Sequence, residues 1–252
     1  MKDYYTTWNF PNCCGSMDGK HVTIRCPPKS GSDYFNYKKD FSIILLEIVD
    51  SNYNFLYIDV GTNGRANDAL VFSKSALNEA LQQNLLNIPT EGVFLADDAF
   101  PLRTNILKPY TRATALKKTQ LVFNYRLSRG RRVVENSFGI LVARFRIFEK
   151  PIPLSVATTE QIVKTTCALH NWLRKTSTNF QSNVEQEFMD SENWNQGKVI
   201  PGQWRSLRND GLIDVSTPLS SNNHTRKAAA VRDFYANMFV TTDIVPWQWN
   251  MI

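Results

Sequence analysis

FSIILLEIVDSNYNFLYIDV, residues 41–60, reads as two strands, FSIILLEIV (41–49) and NFLYIDV (54–60), joined by the polar DSNY (50–53). Two β-rich apolar runs around a short polar connection predict a hairpin. Upstream, residues 15–25 alternate in part and carry Val22 and Ile24, which predicts a first strand opening just after Gly15; CPPKSGSDYFNY then breaks regular structure with two prolines and a glycine. Downstream, Leu70, Val71, Ala76, Leu77, Ala80 and Leu81 recur at helical spacing between Asp68 and about Leu86. GVFLA (92–96) reads as a short buried strand ending at Asp97, and 97–123 as irregular.

A long helix is expected over 124–142, capped by Asn124 or Ser128, with Val133, Val134, Phe138, Leu141 and Val142 as its apolar stripe. A second amphipathic helix is expected over 158–175. Three strands, a helix, a strand and then helices predict an α/β fold, a mixed sheet with helices on its faces. Beyond Lys175 the composition turns polar, so 176–225 is expected to be a linker or loosely ordered segment. Residues 226–252 read as a helix (about 226–239) and an aromatic tail in which Trp247 and Trp249 dock on the main domain.

The chain has 252 residues, 42% apolar and 21% charged, enough for one buried core. No apolar run reaches the ~18–20 residues of a membrane span, and MKDYYTTWNF lacks the apolar core of a signal peptide. Four cysteines, two adjacent, make a poor disulfide framework and point to a reducing compartment, hence a soluble intracellular protein. The +6 formal charge is local. Residues 111–150 hold ten Lys or Arg against two Glu, a net of +8, whereas 176–252 hold six basic against eight acidic residues, a net of −2. Such a cluster suits a phosphate-backbone partner; a solvated, salt-bridged helix face is the alternative.

Three acidic residues stand where function gathers in α/β folds. Asp18 lies in the first strand between Gly15 and Gly19, Asp97 ends GVFLA, and Glu135 sits in the long helix among Arg126, Arg129, Arg131 and Arg132. A helix places Arg131 and Arg132 beside Glu135. Carboxylates converging from three elements suit Mg²⁺ or Mn²⁺, which prefer oxygen ligands, and two such ions about 4 Å apart clamp the attacking and leaving oxygens of a phosphodiester. Lys20 shares the Asp18 face, for phosphate or solvent; His21 points to the other. Lys38, in DYFNYKKDF with Tyr34, Tyr37 and Lys39, is a DNA-contact candidate or ordinary strand-entry packing. Cys13 and Cys14 offer no zinc spacing, and Cys167 and His170 read as core.

WNFPNCCGSMDGKHV, VGTNGRANDALVF, LADDAFPL and FNYRLSRGRRVVENSFGILVARFRIF together resemble, in order, the DDE domain of PIF/Harbinger-type transposases, and more narrowly the Harbinger transposase-derived nucleases; they span about residues 8–173, and the VPWQWN ending is also similar to family tails. The resemblance implies an RNase H-like fold over 8–175 and metal-dependent DNA cleavage. Asp18 matches the aspartate of the family's DGKH motif, Asp97 the acid of its GDxAFPL-like motif (Asp98 is the register competitor), and Glu135 the glutamate of RRVVENSFG. Asp68 matches a further family aspartate, implying a fourth metal-binding or supporting acid; a helix cap is its alternative. The chain begins seventeen residues before Asp18, where relatives carry a helix-turn-helix-like region, so the resemblance implies a short form leaning on a Myb/SANT-like partner. It further implies residence in the nucleus, with the cytoplasm as second compartment. The competing reading is a domesticated, catalytically silent binder of DNA or of a chromatin partner.

Overall fold

The computed structural model describes residues 1–111, 115–176, 188–206, 211–215 and 224–252. The hairpin forms as expected between β2 (Ser42–Val49) and β3 (Phe55–Asn63). Its turn is built on Asp50, whose Oδ1 accepts from the backbone N–H of Asn52 (2.8 Å) and Asn54 (2.9 Å). Such a side-chain turn suits a connection with Tyr53 at a positive φ of 64°. The first strand, β1 (Cys13–Thr23), pairs antiparallel with β2. On its other side β1 runs parallel to β4 (Val93–Leu95), which pairs parallel with β5 (Ile106–Leu107). The order is β3-β2-β1-β4-β5.

Both faces of this mixed sheet are covered, as the near-continuous apolar run of β2 requires. Ile43, Leu45 and Val49 join the core beneath α1 (Lys2–Trp8), α4 (Lys118–Arg144), α5 (Val156–Thr176) and α6 (Arg226–Met238). Ile44, Leu46 and Ile48 face the opposite core, with α2 (Asp68–Lys74) and α3 (Ala76–Gln82). The single helix expected from 68 is broken at Ser75, whose hydroxyl accepts from Asn78 N–H and starts α3. The predicted stripe of α4 is buried throughout. Its start lies earlier than expected, at Lys117, whose N–H reaches Gln120 Oε1 (3.0 Å). Asn124, expected as a cap, lies inside the helix and ties the preceding loop to it through both backbone groups of Tyr110.

The expectation of a linker over 176–225 is corrected where the chain is described. Residues 188–206 carry the hairpin β6 (Ser191–Asn193) and β7 (Lys198–Ile200) and a 3₁₀ turn at Gln203–Ser206, and β8 (Leu212–Asp214) adds antiparallel to β1. Polar composition misled because this segment is held by hydrogen bonds and ion pairs more than by apolar burial. Residues 177–187, 207–210 and 216–223 of the expected linker lie outside the described residues.

The C-terminal helix docks through Tyr235 and Phe239 against Phe10 and Phe123, with ring centroids 5.2–6.5 Å apart; of the two tryptophans expected to dock, Trp247 stacks on Trp194 (4.2 Å between ring centres), whereas Trp249 is exposed. Arg126 is their polar anchor. Its fully buried guanidinium donates to Asn9 O, Asp243 O, Asp243 Oδ2 (2.9 Å) and Gln248 Oε1 (3.2 Å), and lies 4.2 Å from the Phe239 ring centre. Arg126→Ala is expected to destabilise the protein by about 3 kcal/mol, because it leaves buried acceptors and a carboxylate without their partner. Urea unfolding measures this; a midpoint unchanged from wild type contradicts the anchoring role.

Candidate active site

Strand register brings the first two acids together. Ser16 of β1 pairs with Leu95 of β4 in a parallel ladder, and Asp18 and Asp97 each follow two residues later. Helix α4 crosses close above this ladder. Gly130 O accepts hydrogen bonds from Tyr4 Oη (2.7 Å) and Ser16 Oγ (3.0 Å), and a methyl group at Gly130 would overlap the Leu95 side chain. From there Arg131, Glu135, Phe138, Gly139 and Val142 follow at helical spacing and line one wall of a cleft of about 600 Å³. Asp18, Asp97 and Glu135, expected from the sequence as one set, all line it. Asp98 instead pairs with Lys108 (3.1 Å), which resolves the register competition in favour of Asp97 as the cleft residue.

Asp68 approaches from the other face of β1. A Cβ at Gly19 would overlap its carboxylate, so the glycine makes room for it. The helix-capping alternative for Asp68 fails, because Asn67 caps α2 by accepting from Leu70 N–H (2.9 Å). His21 turns away from Asp18 as expected. It meets Ser42 Oγ (2.9 Å), and burial, then Lys38, push its pKa down to about 4.

The basic residues divide. Arg131 and Lys20 stand among the acids, with Arg131 Nη2 3.5 Å and Lys20 Nζ 3.4 Å from the Asp18 carboxylate; exposed Lys38 also lines the cleft. The expectation of DNA contact is corrected for Arg126, Arg129 and Arg132, which are buried. Arg126 anchors the tail, while Arg129 and Arg132 both pair with the buried Glu192 carboxylate. Burying an arginine requires a partner, and partners from far along the chain spend this charge inside the protein.

The acids crowd one another. Burial, then the Asp18 and Asp97 charges, push Asp68 up to about 9, and its Oδ1 is buried without a hydrogen-bond partner. Burial raises Asp97 as well; Arg131 opposes and Asp18 adds to the shift. Fully buried Glu47, cross-strand from Asp18, has neither oxygen hydrogen-bonded, and burial followed by the Asp18 charge holds it well above the carboxylate range. Arg131 stays charged. Burial disfavours its charge, but Asp18, Asp97, Glu135 and Asp68 more than offset that cost. Among the described residues no three His, Cys, Asp or Glu side chains stand as a ready-made metal cluster. The donor set nevertheless fits a hard divalent cation, since Asp18, Asp97 and Glu135 present only carboxylate oxygens to the cleft.

The sequence reading missed the far wall. Trp204, Arg205 and residues 212–215 complete the cleft, and Asp214 pairs with Lys20. No periodicity marks these positions; only the adjacent Trp204 and Arg205 stand out in a polar stretch.

Compared with known proteins, residues 17–171 match the sequence model of a family described as DDE superfamily endonuclease. Protein ALP1-like of Arabidopsis thaliana is 28% identical over 175 residues, covering 64% of this chain and 43% of the relative. The chain thus spans less than half the length of that relative. No solved structure matches significantly.

An acid whose folded pKa lies above its unfolded value binds more protons in the fold, so stability falls as pH rises between the two values. For Asp68 that window runs from 3.8 to about 9. Asp68→Asn is expected to flatten this fall and to stabilise the metal-free protein at neutral pH by roughly 1–3 kcal/mol. Urea unfolding with chelator across the window tests it, and an unaltered pH slope contradicts the assignment.

Proposed function

The chain belongs to the DDE superfamily endonucleases, in their PIF/Harbinger-type branch, and on that premise we propose that it is a metal-dependent nuclease cleaving DNA phosphodiesters. Asp18, Asp97 and Glu135 are its catalytic carboxylates, and Asp68, which lies behind Gly19 and does not line the cleft, is the supporting acid. The cofactor is a pair of Mg²⁺ or Mn²⁺ ions. The observation that carries the reading is the shared cleft: acids 79 and 117 positions downstream of Asp18 line it together with Asp18. The RNase H-like assignment is supported by the order β3-β2-β1-β4-β5, in which the first three strands are antiparallel and the last two run parallel to β1.

When bound, divalent ions supply activation of the attacking oxygen and charge stabilisation at the leaving oxygen. The chain's own groups do the rest. Strand register and the helix repeat orient the three carboxylates, and Arg131 offsets their mutual repulsion. Lys20 and Lys38 present cations toward a phosphate in the cleft, in the positioning role of backbone contacts. Nuclear residence and a Myb/SANT-like partner belong to this proposal and rest on family membership.

A second reading, a catalytically silent binder of DNA or of a chromatin partner, is favoured by one observation. The chain's own cations, Lys20, Arg131 and Arg205, already contact Asp18 and Glu135. Nicking of supercoiled DNA separates the two. The purified chain is expected to nick with Mg²⁺ or Mn²⁺ and not with chelator, and Asp18→Ala to lower the rate by more than about 100-fold, the scale of losing one member of a catalytic unit. Equal rates in variant and wild type reject the proposed site; metal-independent DNA binding without nicking supports the silent reading.

A further inference from the structure

Glu135 is unlike the other two catalytic acids in one respect: it stands on a helix at the cleft wall, where a long side chain has rotamer freedom. What restrains it comes from the segment after the family-matched residues. Asp190, buried, accepts from Gly202 N–H (2.8 Å) and from Arg205 Nε (2.8 Å), so the 3₁₀ turn and its arginine are tied to one carboxylate. Arg205 Nη2 then donates to Glu135 Oε2 (2.6 Å) as well as to Asp190 Oδ2. The turn is itself fixed on α4. Trp204 Nε1 donates to Asn136 Oδ1 (3.0 Å), Asp190 N–H donates to the same oxygen (3.1 Å), and the Trp204 ring lies where a Cβ at Gly139 would stand 2.5 Å from it. The Arg205 guanidinium packs 4.4 Å from the centre of that ring.

We infer that Arg205, clamped by Asp190, is a positioning residue for Glu135, with the 3₁₀ turn holding Oε2 and leaving Oε1 to serve the cleft. The inference rests on the proposed role of Glu135 as a metal-binding acid. A planar guanidinium joined to two carboxylates holds a direction that a point charge cannot. Electrostatics alone predict the opposite of positioning: a cation beside a ligand weakens metal binding, so its removal would strengthen it. Partners that orient a metal ligand have the other sign, and their loss costs about 10–100-fold in metal affinity.

Mn²⁺ binding to the purified full chain, measured by electron paramagnetic resonance, decides between them, with urea unfolding used to accept only folded variants. Arg205→Gln is expected to weaken Mn²⁺ binding by about 10-fold. Asp190→Asn, which removes the clamp and keeps the guanidinium, is expected to weaken it in the same direction, and Arg205→Lys to recover only part of the loss. Should Arg205→Gln fail to fold, the Asp190→Asn and Arg205→Lys results carry the test. Binding that is unchanged or tighter in the folded Arg205 and Asp190 variants, while Glu135→Gln weakens it, overturns the positioning role and leaves the nuclease reading intact. If Glu135→Gln and Asp18→Asn bind Mn²⁺ as wild type does, the metal site itself is wrong, and the inference falls with it.

Discussion

The close crossing of α4 over the β1–β4 ladder is the constraint on which this molecule turns. Gly130 carries no side chain where Leu95 lies beneath it, and its carbonyl is held by Tyr4 and Ser16. Ser16 and Leu95 are ladder partners, so one contact fixes helix to both strands at once. Every acid proposed for catalysis lies within a few residues of that point: Asp18 and Asp97 two beyond the ladder pair, Glu135 just over one helical turn beyond Gly130. Small errors in the crossing would therefore be felt at all three carboxylates together.

The crossing carries an electrostatic burden. Carboxylates gathered away from water repel one another, and the consequence is visible in Asp68 and Asp97, both driven toward the protonated form by burial and by neighbouring charge. Arg131 and Lys20 relieve part of this, and Asp214 in turn shares Lys20. The desolvation of like charges makes this cluster costly to stability.

The arginine-rich RLSRGRR run shows how a helix sorts charge that composition lumps together. Of its four arginines only Arg131 shares the cleft wall with Glu135; Arg126, Arg129 and Arg132 are buried against Asp243 and Glu192. A net of +8 over residues 111–150 described the chain correctly and the surface poorly, since the compensating carboxylates lie 60 or more positions away. The polar stretch around Asp190 and Arg205 misled in the opposite way. Its order comes from side-chain hydrogen bonds and ion pairs, which leave no periodic trace in sequence.

By itself, the sequence determined the local elements and their chemistry. Apolar runs around the polar DSNY connection specify the β2–β3 hairpin, the spacing of Val133, Val134, Phe138, Leu141 and Val142 specifies a helix and its buried face, and the motifs around Asp18, Asp97 and Glu135 name the acids. These are short-range matters of backbone preference and periodicity. Only the tertiary structure decided that Asp97 and not Asp98 faces the cleft, that Gly19 makes room for Asp68, that three arginines are spent inside, and that Arg205 reaches Glu135. Each of those depends on which groups the closed fold brings together, not on neighbours along the chain.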